Sequence, residues 1–199
     1  MQKKKGFTLI ELLIVIAILV ILAVVVILTL NPAQLLAQAR DSQRMSDMST
    51  LKSAISLYLA DVATSSTNCG MGTSSVAYIS AASVTATSVV LARYPISSST
   101  MAVATSSTPK NIDGTGWIRI NFTLISSGAP IGSEPIDPVN TLSNNTSTSY
   151  FYAFAVSSSC TFQLSAHMES QRYQYNGPNS VEGNGNYLYD YQTGTAGGM

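Results

Sequence analysis

A run of 17 consecutive apolar residues, 12–28, close behind Lys3-Lys4-Lys5, constrains this chain more than any other feature. Adding residues 7–11 and Thr29-Leu30 extends it to 24 residues, of which only Thr8, Glu11 and Thr29 are polar. As a helix it reaches roughly 36 Å, more than the ~30 Å hydrocarbon core of a bilayer. Its β-branched residues would favour a strand in water, but inside lipid a lone segment satisfies its own backbone only as a helix. Three lysines precede the run and no basic residue follows until Arg40. The positive-inside rule therefore expects a cytoplasmic N-terminus, with everything beyond about residue 31 outside.

Glu11 is the exception within the run. A carboxylate in a spanning helix costs about 2.5–3.5 kcal/mol at mid-membrane. One reading lets it reach the headgroups from near the helix end. The other neutralises it with an α-amino group, created if the chain is cut between Gly6 and Phe7. A subunit's own amine lies close along the helix, whereas a neighbour's amine meets Glu11 only if subunits stack with an axial stagger, which would set the register of a fibre.

The string Lys5-Gly6-Phe7-Thr8-Leu9-Ile10-Glu11-Leu12-Leu13, with the basic leader and apolar helix around it, closely resembles the class III leader of type IV pilins and of the pseudopilins of type II secretion. The close match covers about residues 3–30, with weaker similarity to about Leu59. The resemblance implies that a prepilin peptidase cuts after Gly6 and methylates the new amine of Phe7. It also implies that Glu11 pairs with a neighbouring subunit's N-terminus. The implied partners are copies of the chain and related pilins, an assembly platform in the inner membrane, and membrane lipid before assembly. The implied location is the cytoplasmic membrane first and an extracytoplasmic filament or the cell surface afterwards. The implied fold is α+β, a long N-terminal helix packed on a small antiparallel sheet.

A secretory signal peptide is the rival, through the Ala37-Gln38-Ala39 triplet with a cut before Arg40. Its apolar region is normally about 7–15 residues, and here it is far longer and carries Glu11. The function that goes with this rival is a membrane-anchored or secreted binding domain.

The chain divides into a leader (1–6), a membrane and filament-core helix (7–30), a second helical stretch (31–63) and an external domain (64–199) with a Tyr-rich tail. Pro32 removes a helix donor and crowds the preceding turn, so the helix kinks, loosens or restarts there. Beyond it Leu36, Ala39, Met48, Leu51, Ile55, Tyr58, Leu59 and Val62 recur at spacings near 3 and 4, a stripe to be covered by a sheet. Around Leu35, Leu36 and Ala39 packing between subunits adds to this. Arg40, Asp41, Arg44 and Asp47 read as a solvated ion-pair face, with bridging between subunits as the alternative.

Residues 64–108 are rich in Ser, Thr, Ala and Gly and read as a long polar connection with short turns, including apolar pieces at 76–79 and 89–91. Alternation of Ile118, Ile120, Phe122 and Leu124 predicts a half-buried strand over 117–125. Residues 150–156 and 160–166, joined by Ser157-Ser158-Ser159, predict an antiparallel hairpin. Tyr187, Tyr189 and Tyr191 suggest an edge strand or an exposed aromatic ladder.

Cys69 and Cys160 fall on the side expected to be oxidising, and a disulfide between them is the economical reading over free thiols. One His167 and two separated cysteines are too few ligands for zinc. A Cys160–His167 dyad fails if Cys160 is bridged, and His167 reads as a strand-end surface residue. The motif Pro135-Ile136-Asp137-Pro138-Val139-Asn140-Thr141 loosely resembles the Asp-Pro loop of the main type II pseudopilin, which implies calcium held by Asp137 and Asn140. An ordinary turn explains the same residues. The sequence holds no G-x-S-x-G and no phosphate loop, and no other cofactor is expected. Ten basic side chains balance ten acidic ones, and loss of the three lysines would leave 7 against 10, which gives no electrostatic signal for nucleic acid.

Overall fold

Two helices meet end to end at Asn31 in the computed structural model, which describes residues 6–62, 67–74, 76–82, 102–142, 149–174 and 190–194. Helix α1 (Leu9–Leu30) starts at Thr8 and ends at Asn31, which adopts a left-handed φ of 41°. Helix α2 (Pro32–Asp61) restarts at once with Pro32 in its first turn. Proline there lacks only a donor that a first turn leaves unused, while its ring pushes the preceding residue out of the right-handed helical region. The break thus has a local cause, and of the three expected outcomes at Pro32 the chain takes the restart.

Every described side chain of α1 is exposed, whereas α2 buries one stripe: Ala37, Asp41, Arg44, Met48, Leu51, Ala54, Ile55 and Tyr58. Leu36 and Ala39, expected on that stripe, face outward instead. At its far end the Asp61 carboxylate accepts hydrogen bonds from the backbone N–H and the hydroxyl of Ser126, at 2.6 and 3.0 Å. That contact ties the end of α2 to the loop region.

The strands are β1 (Val76–Ile79), β2 (Ala102–Ala104), β3 (Tyr152–Val156), β4 (Phe162–His167) and β5 (Asp190–Gly194). They form one sheet in the order β2-β1-β3-β4-β5. The fold is α+β as expected, but the sheet is mixed, because β1 and β2 run parallel while the other pairs are antiparallel. The expected hairpin is β3–β4, with Val156 opposite Phe162 and the Ser157 N–H donating to the Thr161 carbonyl at 2.8 Å. Strand β5 is an edge strand that contains Tyr191. Residues 89–91, Tyr175, Tyr187, Tyr189 and the lysine leader lie outside the described residues.

One face of the sheet, with Tyr152, Phe154, Phe162 and Leu164, packs on Met48, Leu51, Ile55 and Tyr58 of α2. Each such side chain contributes about 1.5–3 kcal/mol on burial. The other face gathers Ala77, Ile79, Phe151, Ala153 and Ala155.

Residues 117–125 are not a strand. Ile118, Ile120 and Phe122 are buried as the alternation required, and Trp117, out of phase with them, is buried too, yet Leu124 is exposed and 122–124 form a 3-10 turn. The donors a ladder would need are spent on loops: Trp117 N–H on the Pro109 carbonyl, Ile118 N–H on the Glu134 carboxylate and Phe122 N–H on the Ile112 carbonyl. Burial with only an isolated bridge, Asp113 to Asn121, gives the same alternation at 118, 120 and 122 as a strand.

Candidate functional site

The N-terminal site is built by the start of α1. Thr8 caps the helix, its hydroxyl accepting from Glu11 N–H at 3.3 Å. Glu11 reaches back, and its Oε2 accepts from both the N–H and the hydroxyl of Thr8 at 2.8 Å. This is a reciprocal capping box, and it sets the carboxylate against the positive end of the helix. Thr8 is one residue, about 3.8 Å of chain, from Phe7. Gly6 and Phe7 precede the helix and are exposed, and a Cβ added at Gly6 would meet nothing within 4 Å. Packing within the chain therefore makes no demand for glycine at that position. The structure bonds Glu11 to Thr8, next in the chain to Phe7, and shows no bond from Glu11 to Gly6 or Phe7; the Thr-x-x-Glu spacing ahead of an apolar run could have signalled Thr8.

Residues 9–27 of α1 are long and apolar enough to cross a membrane, and none of that stretch is buried. It presents an uncovered apolar surface on all sides. Leu35 and Leu36 carry the exposed surface past the break.

A second cluster lies where α2 crosses the end of the sheet. Arg44, expected on a solvated face, is 0% exposed, and so is Asp41. Arg44 grips Asp137 with two bonds, Nε to Oδ2 at 2.7 Å and Nη2 to Oδ1 at 2.9 Å. Its Nη1 donates to Asp41 Oδ1 at 2.8 Å and, more weakly, lies 3.4 Å from Glu169 Oε2. Asp41 also accepts from the N–H groups of Glu169 and Ser170, both at 2.8 Å. Arg40 pairs with Glu169 as well. Burial works against the charge on Arg44, but hydrogen bonds and charges from Asp137 and then Asp41 outweigh it and hold the guanidinium firmly protonated. The surface-pair reading fails because Asp41 and Arg44 fall in register with the buried stripe. Tyr152, also buried, donates its hydroxyl to Asp47 at 2.7 Å, and burial with that partner pushes its phenol well above the usual range.

The calcium expectation meets this arrangement directly. Asp137 Oδ1 accepts from Arg44 and from the N–H groups of Val139 and Asn140, and Oδ2 accepts from Arg44. Asn140 Oδ1 accepts from Ser80 Oγ at 2.8 Å. Both candidate ligands face donors, and a guanidinium stands beside the carboxylate, so this donor set does not fit a calcium ion.

Cys69 and Cys160 form a disulfide that joins the 3-10 turn at 67–70 to the β3–β4 turn. That removes the Cys160–His167 dyad. His167 is 4% exposed, not a surface residue, and its ring stacks on Tyr150 at 5.4 Å. Glu134 is a further acid that the sequence did not single out: it is 1% exposed, and burial, opposed by the N–H groups of Ile118 and Trp117, pushes its carboxyl up to about 8. Among the described residues no group of three or more His, Cys, Asp or Glu could hold a metal.

Residues 1–27 match the family model described as the prokaryotic N-terminal methylation motif. That span covers the leader, the capping box and most of α1, and it supports the resemblance to type IV pilins and pseudopilins. No curated protein and no solved structure matches the chain.

Proposed function

We propose, from an N-terminus that carries the methylation motif, that this chain is the precursor of a structural filament subunit of the type IV pilin kind. The peptide bond after Gly6 is cut by a prepilin peptidase and the amine of Phe7 is methylated. The mature subunit waits in the cytoplasmic membrane through α1, with its domain outside, and then polymerises into a surface pilus or a secretion pseudopilus. The observation that carries this reading is an apolar helix whose described side chains are all exposed and whose only acid, Glu11, is folded back to the helix start beside the motif's cleavage point.

The physical sequence is short. A glycine that packs against nothing leaves the scissile bond open to another protein. Cleavage removes three lysines and places a cationic amine one residue from the group that the Glu11 carboxylate already accepts from. Within lipid that pairing lowers the cost of the buried charge. In a staggered stack the same carboxylate is offered a neighbour's amine, and the exposed faces of α1 cover one another. A cut before Arg40 would instead sever α2 within its packed length, leaving Ala37 out of the core.

Mass spectrometry of the protein from its native host tests the reading. A mature chain beginning at Phe7 with one added methyl group is expected, while an intact Met1 or a start at Arg40 would sink it. Glu11→Ala tests the second half. Membrane insertion should persist while filament yield falls at least tenfold, and wild-type filament levels from that variant would remove the role given to Glu11.

A further inference from the structure

Three carboxylates, those of Asp41, Asp137 and Glu169, converge on the guanidinium of Arg44, and Arg44, Asp41 and Asp137 are closed off from solvent. They come from different parts of the chain: Asp41 and Arg44 from α2, Asp137 from the 135–141 loop, and Glu169 from the segment after β4. The loop is fastened onward, because Asn140 engages the hydroxyl and the carbonyl of Ser80, and the Ser80 hydroxyl accepts from Tyr152 N–H at 2.9 Å. One cation thus holds α2 to the loop, which Asn140 and Ser80 in turn fasten to β1 and β3. Without it, the buried carboxylates of Asp41 and Asp137 would lose the cation they share, leaving Arg40 only on Glu169, which is strongly destabilising.

We propose that Arg44 is the resident cation of this loop, fixed within the chain, so that the external domain folds and holds together independently of divalent metal ions. The planar fork of arginine suits the work, since it meets the Asp137 carboxylate in two parallel bonds and still has Nη1 for Asp41 and Glu169. The inference does not depend on the filament reading, because it concerns only the external domain.

Thermal unfolding of the full-length protein in detergent, followed through its single tryptophan, tests it. Trp117 is 0% exposed and donates its indole N–H to the Pro135 carbonyl at 2.9 Å, so its emission reports on this loop. The expected result for the wild type is one midpoint, the same in excess EDTA and in millimolar calcium chloride. A midpoint that rises with calcium or falls with EDTA would overturn the proposal. R44Q should unfold about 10 °C lower in EDTA and recover part of the loss in calcium, since the carboxylates then need an external cation. A folded R44Q as indifferent to calcium as the wild type would count against Arg44 acting as the loop's cation. If R44Q does not fold at all, the wild-type comparison still decides.

Discussion

At the scale of single residues, Glu134 shows how a side chain with no sequence signature can govern stability. Its Oε2 accepts from Ile118 N–H at 2.9 Å, and the residue is 1% exposed. Burial raises its pKa from 4.5 to about 8. Between those values the folded chain keeps a proton that the unfolded chain has released, so this group's contribution is fully favourable below the lower value and is lost as pH rises to the upper one. The wild type should therefore lose stability on going from about pH 5 to about pH 8, by at most ~1.36 kcal/mol per unit from this group. Glu134→Gln keeps the acceptor for Ile118 and has nothing to titrate, so its urea-unfolding free energy should be flatter across that interval. Equal slopes in the two proteins would show that Glu134 is not the group responsible. Gly116 is tied to the same place, for a Cβ there would lie 2.1 Å from the Asn111 carbonyl oxygen and 2.5 Å from the Glu134 carboxyl. Backbone cannot retreat as a flexible tip can, and Gly116→Ala should cost about 1–3 kcal/mol or more in the same assay. A variant as stable as the wild type would contradict the packing described here.

At the scale of elements, the chain is held by devices of differing legibility. The disulfide was readable from two cysteines and an expected compartment, and it joins turns 91 residues apart. On the chain-entropy account such a bridge restrains the unfolded state by about 4–5 kcal/mol. Replacing both cysteines by serine should lower the thermal midpoint by roughly 10–15 °C, and a midpoint unmoved by the double substitution would show that the bridge adds nothing to stability. The hairpin β3–β4 was also legible, because both strands are apolar runs with a serine turn between them. Strand β2 was not, as three small residues, Ala102, Val103 and Ala104, pair with β1 in a serine-rich stretch that gives no period. Residues 117–125 misled for the opposite reason: the alternation was real, but the partner was a loop rather than a strand. Pro32 signalled a disturbance of the helix but not its form, which depends on Asn31 accepting a left-handed conformation that few other residues tolerate.

At the scale of the whole molecule, the sequence made the division of labour plain but hid how the external part coheres. Asp41 and Arg44 were visible as an i,i+3 pair, and counting the stripe 37, 41, 44, 48, 51, 55, 58 would have placed both on the buried side. What could not be read was that Asp137 and Glu169, 93 and 125 residues away from Arg44, supply the remaining partners. Helix α1 stands apart from all this. Its described side chains are exposed, and neither buried cluster draws on it. In the filament reading proposed above it is the assembling element, and it contributes no side chain to either buried cluster of the domain. Removing residues 1–30 should leave the thermal midpoint within about 2 °C of the full-length protein in the same detergent, the effect expected of changes that touch no core contact. The same deletion should abolish self-association, measured by sedimentation after detergent removal. A shortened chain that melts much lower would mean that α1 supports the fold, and one that still forms fibres would place the assembly surface on the domain instead of on the helix.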